Sequence, residues 1–284
     1  MTDVSIVILT YKEAPAVLTA CLAAVQASTG VDREVIVIDN AANAATEKLV
    51  KEYLTDVTYK SNEENRGFAA AVNQGMKLAK GRYVLLLNPD TVIPADAIEK
   101  MVQHMDRDAE VGIGSCIIRY PNGELQDSIR RFPKMIDQLL IMLKVPHFIR
   151  RVRSIDDYMM RDVDALKTQD VDSIMGAFMM IRKEVIDKIG LFDERYLIWF
   201  EEVDYCKMAH DAGFKIRHYA DVEIVHHKGH TFDQLATIRK QKWVRESMRK
   251  YFAKHHGVGS ALMLWVLAPV FIVLAYGAAI IKRG

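Results

Sequence analysis

The stretch Arg82-Tyr83-Val84-Leu85-Leu86-Leu87-Asn88-Pro89-Asp90-Thr91 decides how the chain folds. Tyr83 to Leu87 are five consecutive apolar residues, bounded by Gly81 and by Asn-Pro-Asp. A strand with one wet face would alternate, so the run predicts a strand buried on both faces, the habit of parallel sheets covered by helices. After Leu87 the chain must turn. Pro89 fixes φ and lacks a donor, which leaves Asp90 at the carboxyl lip of the sheet, where open α/β sheets bind their ligands. Alone, Asn-Pro-Asp-Thr reads more simply as a turn before a capped helix, and the rest of the chain has to decide.

Upstream, 5–10, 34–39 and 57–62 read as strands, with helical spacing over 14–27, 44–54 and 68–79. Strands alternating with helices predict β-α-β units and a nucleotide-binding α/β half with a mostly parallel sheet. Downstream the grammar changes. A helix over 95–105 precedes a hairpin, with 111–120 and 124–126 joined at Pro121-Asn122-Gly123. The apolar stretch 135–152 carries its positive charges at one end and reads equally as a core helix or as a helix lying on a membrane. The run 170–182 is strand-like, and Gly176 inside it marks a bulge or a close backbone approach.

The 284 residues, half of them hydrophobic, can bury one main domain with an appendage. Lys and Arg (38) nearly balance Asp and Glu (37), with no extended basic face, which gives no support to a nucleic-acid partner. Cys21, Cys116 and Cys206 are odd in number, far apart and without metal spacing, and suit buried small hydrophobes in a reducing compartment. The amino terminus has no basic n-region and is read as a first strand, not a leader. At the other end, 258–281 contains no charged residue and is closed by Lys282-Arg283, matching the roughly 20 apolar residues of a membrane segment. Ahead of it stands a basic helix over 231–256 with Arg239, Lys240, Lys242, Arg245, Arg249, Lys250 and Lys254. Basic residues beside an apolar segment predict association with the cytoplasmic face of a membrane. Pro269 near its middle leaves a single span and a re-entrant segment both open, and away from lipid the same segment would serve as a core or homo-oligomer helix.

Five places carry chemistry. Asp39 and Asn40 end the second strand on the same edge as Asp90, where an acid accepts from a nucleobase or ribose, or merely holds an Asx turn. Asn65-Arg66-Gly67 opens a helix, where an arginine and free N–H groups hold a diphosphate. Asp90 suits a hard cation, Mg²⁺ or Mn²⁺, whose shell phosphate oxygens and water complete. Glu201, Glu202 and Asp204 follow aromatic Trp199-Phe200 in the first turn of a helix closed by Gly213, a position expected to keep a general base ionised. His226 and His227 end a strand and point to opposite faces, so one of them at most meets a metal, and His226 is the co-ligand chosen.

Together these residues resemble the family 2 inverting glycosyltransferases of GT-A fold, and rhamnosyltransferase-like members in particular. The match spans about 3–230. It rests on Val4 to Tyr11, Val37-Ile38-Asp39-Asn40, Asn65 to Ala69 with Asn73 and Gly75, Leu87 to Thr91, Gly176 to Met179, Phe192-Asp193-Glu194, Phe200 to Cys206, and His226-His227-Lys228-Gly229. The resemblance implies a donor-binding set of Thr10, Tyr11, Asp39, Asn65, Arg66, Asn88, Asp90 and Gly176, with Asp39 on the base and Asp90 as the last acid of an Asp-X-Asp metal motif. It aligns Glu202 with the catalytic acid of a Glu-Asp signature. Two departures stand out: Asn88 replaces the first Asp of the metal motif, and Glu202 replaces Asp, which leaves Glu201, Glu202 and Asp204 competing for the base. The expectation is a GT-A domain over 1–230 and a basic helix with membrane segment over 231–284. The enzyme would move rhamnose or a related deoxyhexose from a nucleoside diphosphate, dTDP-rhamnose favoured, to a lipid-linked saccharide in cell-surface polysaccharide synthesis. A nucleotidyltransferase is disfavoured because Thr10 to Pro15 is not a Gly-rich basic loop, and a non-catalytic scaffold because the acidic cluster is present.

Overall fold

The computed structural model describes residues 2–147, 149, 151–196, 198–227 and 237–281, with side chains omitted at 147, 237–240 and 273–281. Phe148, Arg150, Lys228, Gly229, the segment 231–236, the side chains of Arg239 and Lys240, and Lys282-Arg283 therefore lie outside the described residues.

The first half is β1 (Val4–Thr10), α1 (Pro15–Gln26), β2 (Arg33–Asp39), α2 (Ala44–Tyr53), β3 (Val57–Ser61), α3 (Phe68–Leu78) and β4 (Tyr83–Leu87). The second half is β5 (Thr91–Val92), α4 (Ala97–Arg107), β6 (Val111–Arg119), β7 (Ile129–Arg130), α5 (Met135–Met142), α6 (Arg153–Tyr158), β8 (Gln169–Val171), β9 (Ser173–Ile174), β10 (Phe178–Arg182), α7 (Lys183–Ile189), α8 (Glu201–Asp211) and β11 (Lys215–His226). Two helices close the chain, α9 (Thr237–His256) and α10 (Val258–Ile281).

The main sheet has the order β3-β2-β1-β4-β10-β6-β11-β5, with β8 on the side of β11. The four strands of the first half are parallel, as β-α-β connections require. Beyond β4 the sheet is mixed: β10 runs against both β4 and β6, while β6 and β11 are parallel. All five residues of β4 are buried. Tyr83, Leu85 and Leu87 enter one core with α1 and α4, and Val84 and Leu86 enter a second core with α3 and α8 on the opposite face. The two-sided burial expected of the opening stretch is what positions Asn88 to Asp90 at the sheet edge.

Two runs fold differently from their sequence pattern. The stretch 135–152 is no single helix: α5 stops at Met142, Lys144 takes a left-handed φ of 60°, and a short 3₁₀ turn carries Pro146. Proline inside a helix removes a backbone donor and clashes with the preceding turn, so the chain breaks there. The run 170–182 divides into β8, β9 and β10, because Ser173–Ile174 leaves the main sheet to pair with β7. The hairpin after β6 survives as one antiparallel bridge, Arg119 to Leu125, around the Tyr120–Gly123 turn.

The final helices pack on the body. Tyr251, Phe252 and Met248 of α9 and Leu264 and Phe271 of α10 form a third core with Met142, Tyr196 and Phe200. Outward, α10 exposes Val258, Leu262, Trp265, Val266 and Val270, between 47 and 79 % each. Among the described residues, no helix is long and apolar enough to cross a membrane.

Candidate active site

The carboxyl ends of β1 and β4, the Asn65–Gly67 loop, the end of β11 and the start of α8 open onto one cleft of about 1170 Å³. Tyr11, Asn65, Arg66, Asn88, Asp90, Gly176, Glu201, Glu202 and His226 all line it. Thr10, Asp39 and Asp204 do not.

Asp90 and His226 meet because β5 pairs antiparallel with β11 in a register that sets Thr91 against His226. The turn before it is closed by the Thr91 hydroxyl, which donates to the Asn88 carbonyl at 2.7 Å. His226 is 5 % exposed while its neighbour His227 faces solvent, the opposite-face arrangement that a strand imposes. Asp90 Oδ1 lies 3.2 Å from His226 Nε2. The ring's proton can be assigned from Gln126. Its amide Nε2 donates to the His226 carbonyl at 2.6 Å, so its Oε1 is the atom 2.9 Å from His226 Nδ1. An amide oxygen only accepts, so Nδ1 carries a hydrogen; in the neutral ring Nε2 then presents a lone pair, with Asn88 Nδ2 3.3 Å away.

With the neutral ring, that lone pair and the carboxylate oxygen repel unless a cation joins them. Two cis ligands of a divalent ion, each about 2.1 Å from it, stand roughly 3 Å apart, so Asp90 and His226 fit a Mg²⁺ or Mn²⁺ ion with Gln126 fixing the imidazole from behind. Among the described residues there is no group of three or more His, Cys, Asp or Glu able to hold a metal. The described residues thus offer two charged or imidazole ligands, and phosphate oxygens and water complete a shell of the kind usual for Mg²⁺. Asn88, in place of an acid, supplies no carboxylate from its own position.

The Asn65–Gly67 loop is pinned by Asn40, which is 2 % exposed. Its Nδ2 donates to Asn65 Oδ1 (2.9 Å), and its Oδ1 accepts from Arg66 N–H (3.1 Å) and Asn62 Nδ2 (3.1 Å). Gly67, at φ 82°, then turns the chain into α3 through a conformation that disfavours a side chain. Asp39 sits at the sheet edge with its carboxylate engaged: it accepts from Ala41 N–H (2.9 Å), Asn43 N–H (2.7 Å) and the Tyr59 hydroxyl (2.8 Å). Those three bonds hold the turn into α2 and leave about one lone-pair direction free. Thr10 is fully buried, and its hydroxyl has no hydrogen-bond partner among the described residues.

The three acids of α8 separate in space. Glu202 lies against Gly176, where an added Cβ would come within 3.0 Å of Glu202 Cγ and Oε1. Burial raises the Glu202 carboxyl above the ordinary range, partly offset by backbone N–H groups of Glu202 and Gly176. Glu201 is 5 % exposed, and burial and the neighbouring Glu202 push its carboxyl well up. For these two glutamates the expectation that the helix amino terminus keeps them readily ionised is corrected: desolvation outweighs the helix dipole. Asp204, 1 % exposed, turns away from the cleft, within 2.7 Å of Lys254 Nζ, 2.6 Å of His255 Nε2 and 3.1 Å of the Tyr196 hydroxyl. The backbone preceding α8 is unusual, since Trp199 (φ 55°) and Phe200 (φ 68°) are consecutive left-handed residues beside the cleft, a conformation that costs energy and marks functional turns.

Several residues in and behind the cleft were not legible as site residues. Gln126 gave no signal because its partner His226 is distant in sequence. The mostly apolar wall from Ile141, Met142, Tyr158, Met159, Trp199, Trp243 and Val244 is assembled from α5, α6, the turn before α8 and α9. Asn73 of α3 explains another motif: its amide donates to the Phe192 carbonyl (2.9 Å) and Glu194 Oε1 (3.0 Å) and accepts from Phe192 N–H (3.0 Å), which ties Phe192-Asp193-Glu194 to the first half.

Comparison with known proteins agrees with this geometry. The N-acetylglucosaminyl-diphospho-decaprenol L-rhamnosyltransferase of Mycobacterium tuberculosis is 25 % identical, covering 94 % of this chain and 90 % of that protein. Rhamnosyltransferase WbbL of Escherichia coli is 22 % identical over 78 % of this chain and 82 % of its own length. Among solved structures, mannosyltransferase PcManGT of Pyrobaculum calidifontis with GDP-Man and Mn²⁺ superposes with a TM-score of 0.60 at 18 % identity, covering all of this chain and 78 % of that one. GalNAc-T7 with UDP, GalNAc and Mn²⁺ gives 0.62 at 15 % identity over 89 % of this chain, which spans about half (51 %) of that structure. Both share the mixed α/β GT-A-like fold. The profile of the family Glycosyl transferase family 2 matches residues 5–190, and the chain therefore belongs to that family of glycosyltransferases as a rhamnosyltransferase-like member.

Proposed function

We propose that this glycosyltransferase moves L-rhamnose or a related deoxyhexose from a nucleoside diphosphate, dTDP favoured, to a lipid-linked saccharide, with inversion, during cell-surface polysaccharide synthesis. The observation that carries the reading is the meeting, in one cleft, of the Asp90–His226 pair with Glu202. The names of the two bacterial relatives support the sugar, and that of the mycobacterial relative supports the prenyl diphosphate acceptor.

Arg66 and the N–H groups opening α3 would hold the diphosphate, while Asp39, fully buried and off the cleft lining, supports the turn beside them rather than meeting the base. Asp90 and His226 would hold a divalent cation, which supplies charge neutralisation for the departing diphosphate when bound. Glu202 takes the proton from the acceptor hydroxyl, whose oxygen bonds to the anomeric carbon as the bond to the diphosphate breaks on the opposite face. Its raised pKa makes Glu202 a stronger base than an ordinary carboxylate, and it requires the site to be ionised before turnover. Asp204 acts through the helix it anchors.

The setting we propose is the cytoplasmic face of a membrane, supported by the exposed apolar face of α10 and the cations of α9. The test is release of nucleoside diphosphate from a panel of sugar nucleotides, with and without a prenyl-diphosphate-saccharide acceptor and Mn²⁺. Acceptor-dependent release from dTDP-rhamnose is expected. A different preferred donor would overturn the sugar assignment, and pyrophosphate as product would overturn the reaction.

A further inference from the structure

We infer that the groove between α9 and α10 is a binding site for a single anionic phospholipid of the bilayer, distinct from the catalytic cleft. The inference rests on the membrane reading above.

The groove has a volume of about 370 Å³. Lys242, Arg245 and Arg249 stand on its α9 wall, and Leu264, Trp265 and Phe271 on its α10 wall. Spacings of three and four residues place the three cations on one face of α9. The remaining cations of the described helix serve a different purpose. Lys250 donates to the Arg195 carbonyl, and Lys254 is 2.7 Å from Asp204 and 3.5 Å from Asp193. The basic run is therefore sorted by the fold, with its end turned inward as an anchor and its middle lining the groove. The one acid lining the groove, Glu246, lies 4.0 Å from Lys242, so the net charge of the wall stays positive.

Over a floor of buried Leu264 and Phe271, the groove leaves apolar surface open at its rim, where Trp265 is 60 % and Ile272 39 % exposed. A free phosphate would satisfy the cations and leave that rim uncovered. A neutral hydrocarbon would do the reverse. A phospholipid does both, its phosphate against Lys242 and Arg249 and the first part of an acyl chain against Ile272, with Trp265 at headgroup depth. The sugar-bearing acceptor is not the occupant, because Trp243 and Val244 of the same helix line the cleft containing Glu202, and the groove opens on the other side of α9. A seated lipid would instead brace α9, and through it the apolar wall of the cleft.

The experiment uses the full chain with vesicles of phosphatidylcholine alone or mixed with phosphatidylglycerol, some carrying brominated acyl chains. The parent protein should bind the mixed vesicles more tightly, and bromine should quench its fluorescence, a signal that Trp265→Phe removes. Lys242→Gln with Arg249→Gln should weaken binding to mixed vesicles roughly 25-fold, about fivefold per cation, and leave binding to neutral vesicles, the melting temperature and donor hydrolysis unchanged. If the double variant binds mixed vesicles like the parent, the groove is not the site and the membrane reading stands. If inorganic phosphate displaces the vesicles at constant ionic strength, the groove is an anion site and the lipid assignment falls. If the parent binds neither vesicle, the membrane reading itself falls and takes this inference with it.

Discussion

Glu202 owes its chemistry to its surroundings. Removing its charge with Glu202→Gln should lower transfer roughly 10²–10⁴-fold while donor affinity holds, since a base acts in the transition state. The parent's rate should rise with pH through an apparent pKa above the ordinary glutamate value, because burial disfavours the ionised form that the reaction needs. Glu201 makes a complementary prediction about stability. Its carboxyl is raised in the folded chain, so the native state binds the proton more tightly than the unfolded state does, and stability is lost as pH rises from the unfolded value through the folded one. Glu201→Gln should match the parent below about pH 4 and exceed it in melting temperature at neutral pH, a difference that thermal scans across pH would read. Gln126 does not line the cleft, yet it orients the His226 ring by bonding both its carbonyl and its Nδ1. Gln126→Leu should raise the Mn²⁺ concentration for half-maximal turnover roughly 10–100-fold with little change in the rate at saturation.

Among the elements, the decisive junction is between α8 and α9. Asp204 holds Lys254 and His255 from a position 1 % exposed, and Tyr251 and Phe252 pack nearby with Phe200. Asp204→Ala removes one side of this buried pair and strands the other. Such a loss costs roughly 3–5 kcal/mol, with the lower end expected because Lys254 remains 26 % exposed. Tryptic cleavage within α9 should accelerate before the sheet unfolds. If α9 stays protected, the contact does not hold the helix. The aspartate that the sequence ranks with the candidate bases thus acts as a clasp, and its loss should reach the cleft through Trp243 and Val244.

At the scale of the whole molecule, the α/β body and the C-terminal helices are not independent. Leu264 and Phe271 share a core with Met142 and Phe200, so removing α10 would uncover part of the body as well as shed an apolar segment. A cleaner probe changes only outward residues. Leu262→Ser with Val266→Ser and Val270→Ser should leave the fold intact, shift the protein toward the soluble fraction, and slow transfer to a lipid acceptor far more than donor hydrolysis. Unchanged fractionation together with a change in oligomeric mass would assign the exposed face to a second copy of the chain.

The sequence by itself determined whatever follows from backbone periodicity. The unbroken run Tyr83–Leu87 required a two-sided strand, the alternation of strands and helices required the parallel half, and the two-residue repeat of β11 sent His226 inward and His227 outward. It also put Asp90, Asn88 and Arg66 at one sheet edge, because the carboxyl ends of parallel strands share an edge. The tertiary structure alone decided which side chains are engaged there. Asp39, Asp90, Glu202 and Asp204 look equivalent as acids in a row of letters, yet one closes a turn, one faces an imidazole, one lies against a glycine and one clasps a distant helix. Hydrogen-bond partners and desolvation depend on segments that meet only when the sheet is complete. Local pattern therefore fixes where a side chain points, and long-range packing fixes its charge and its partner.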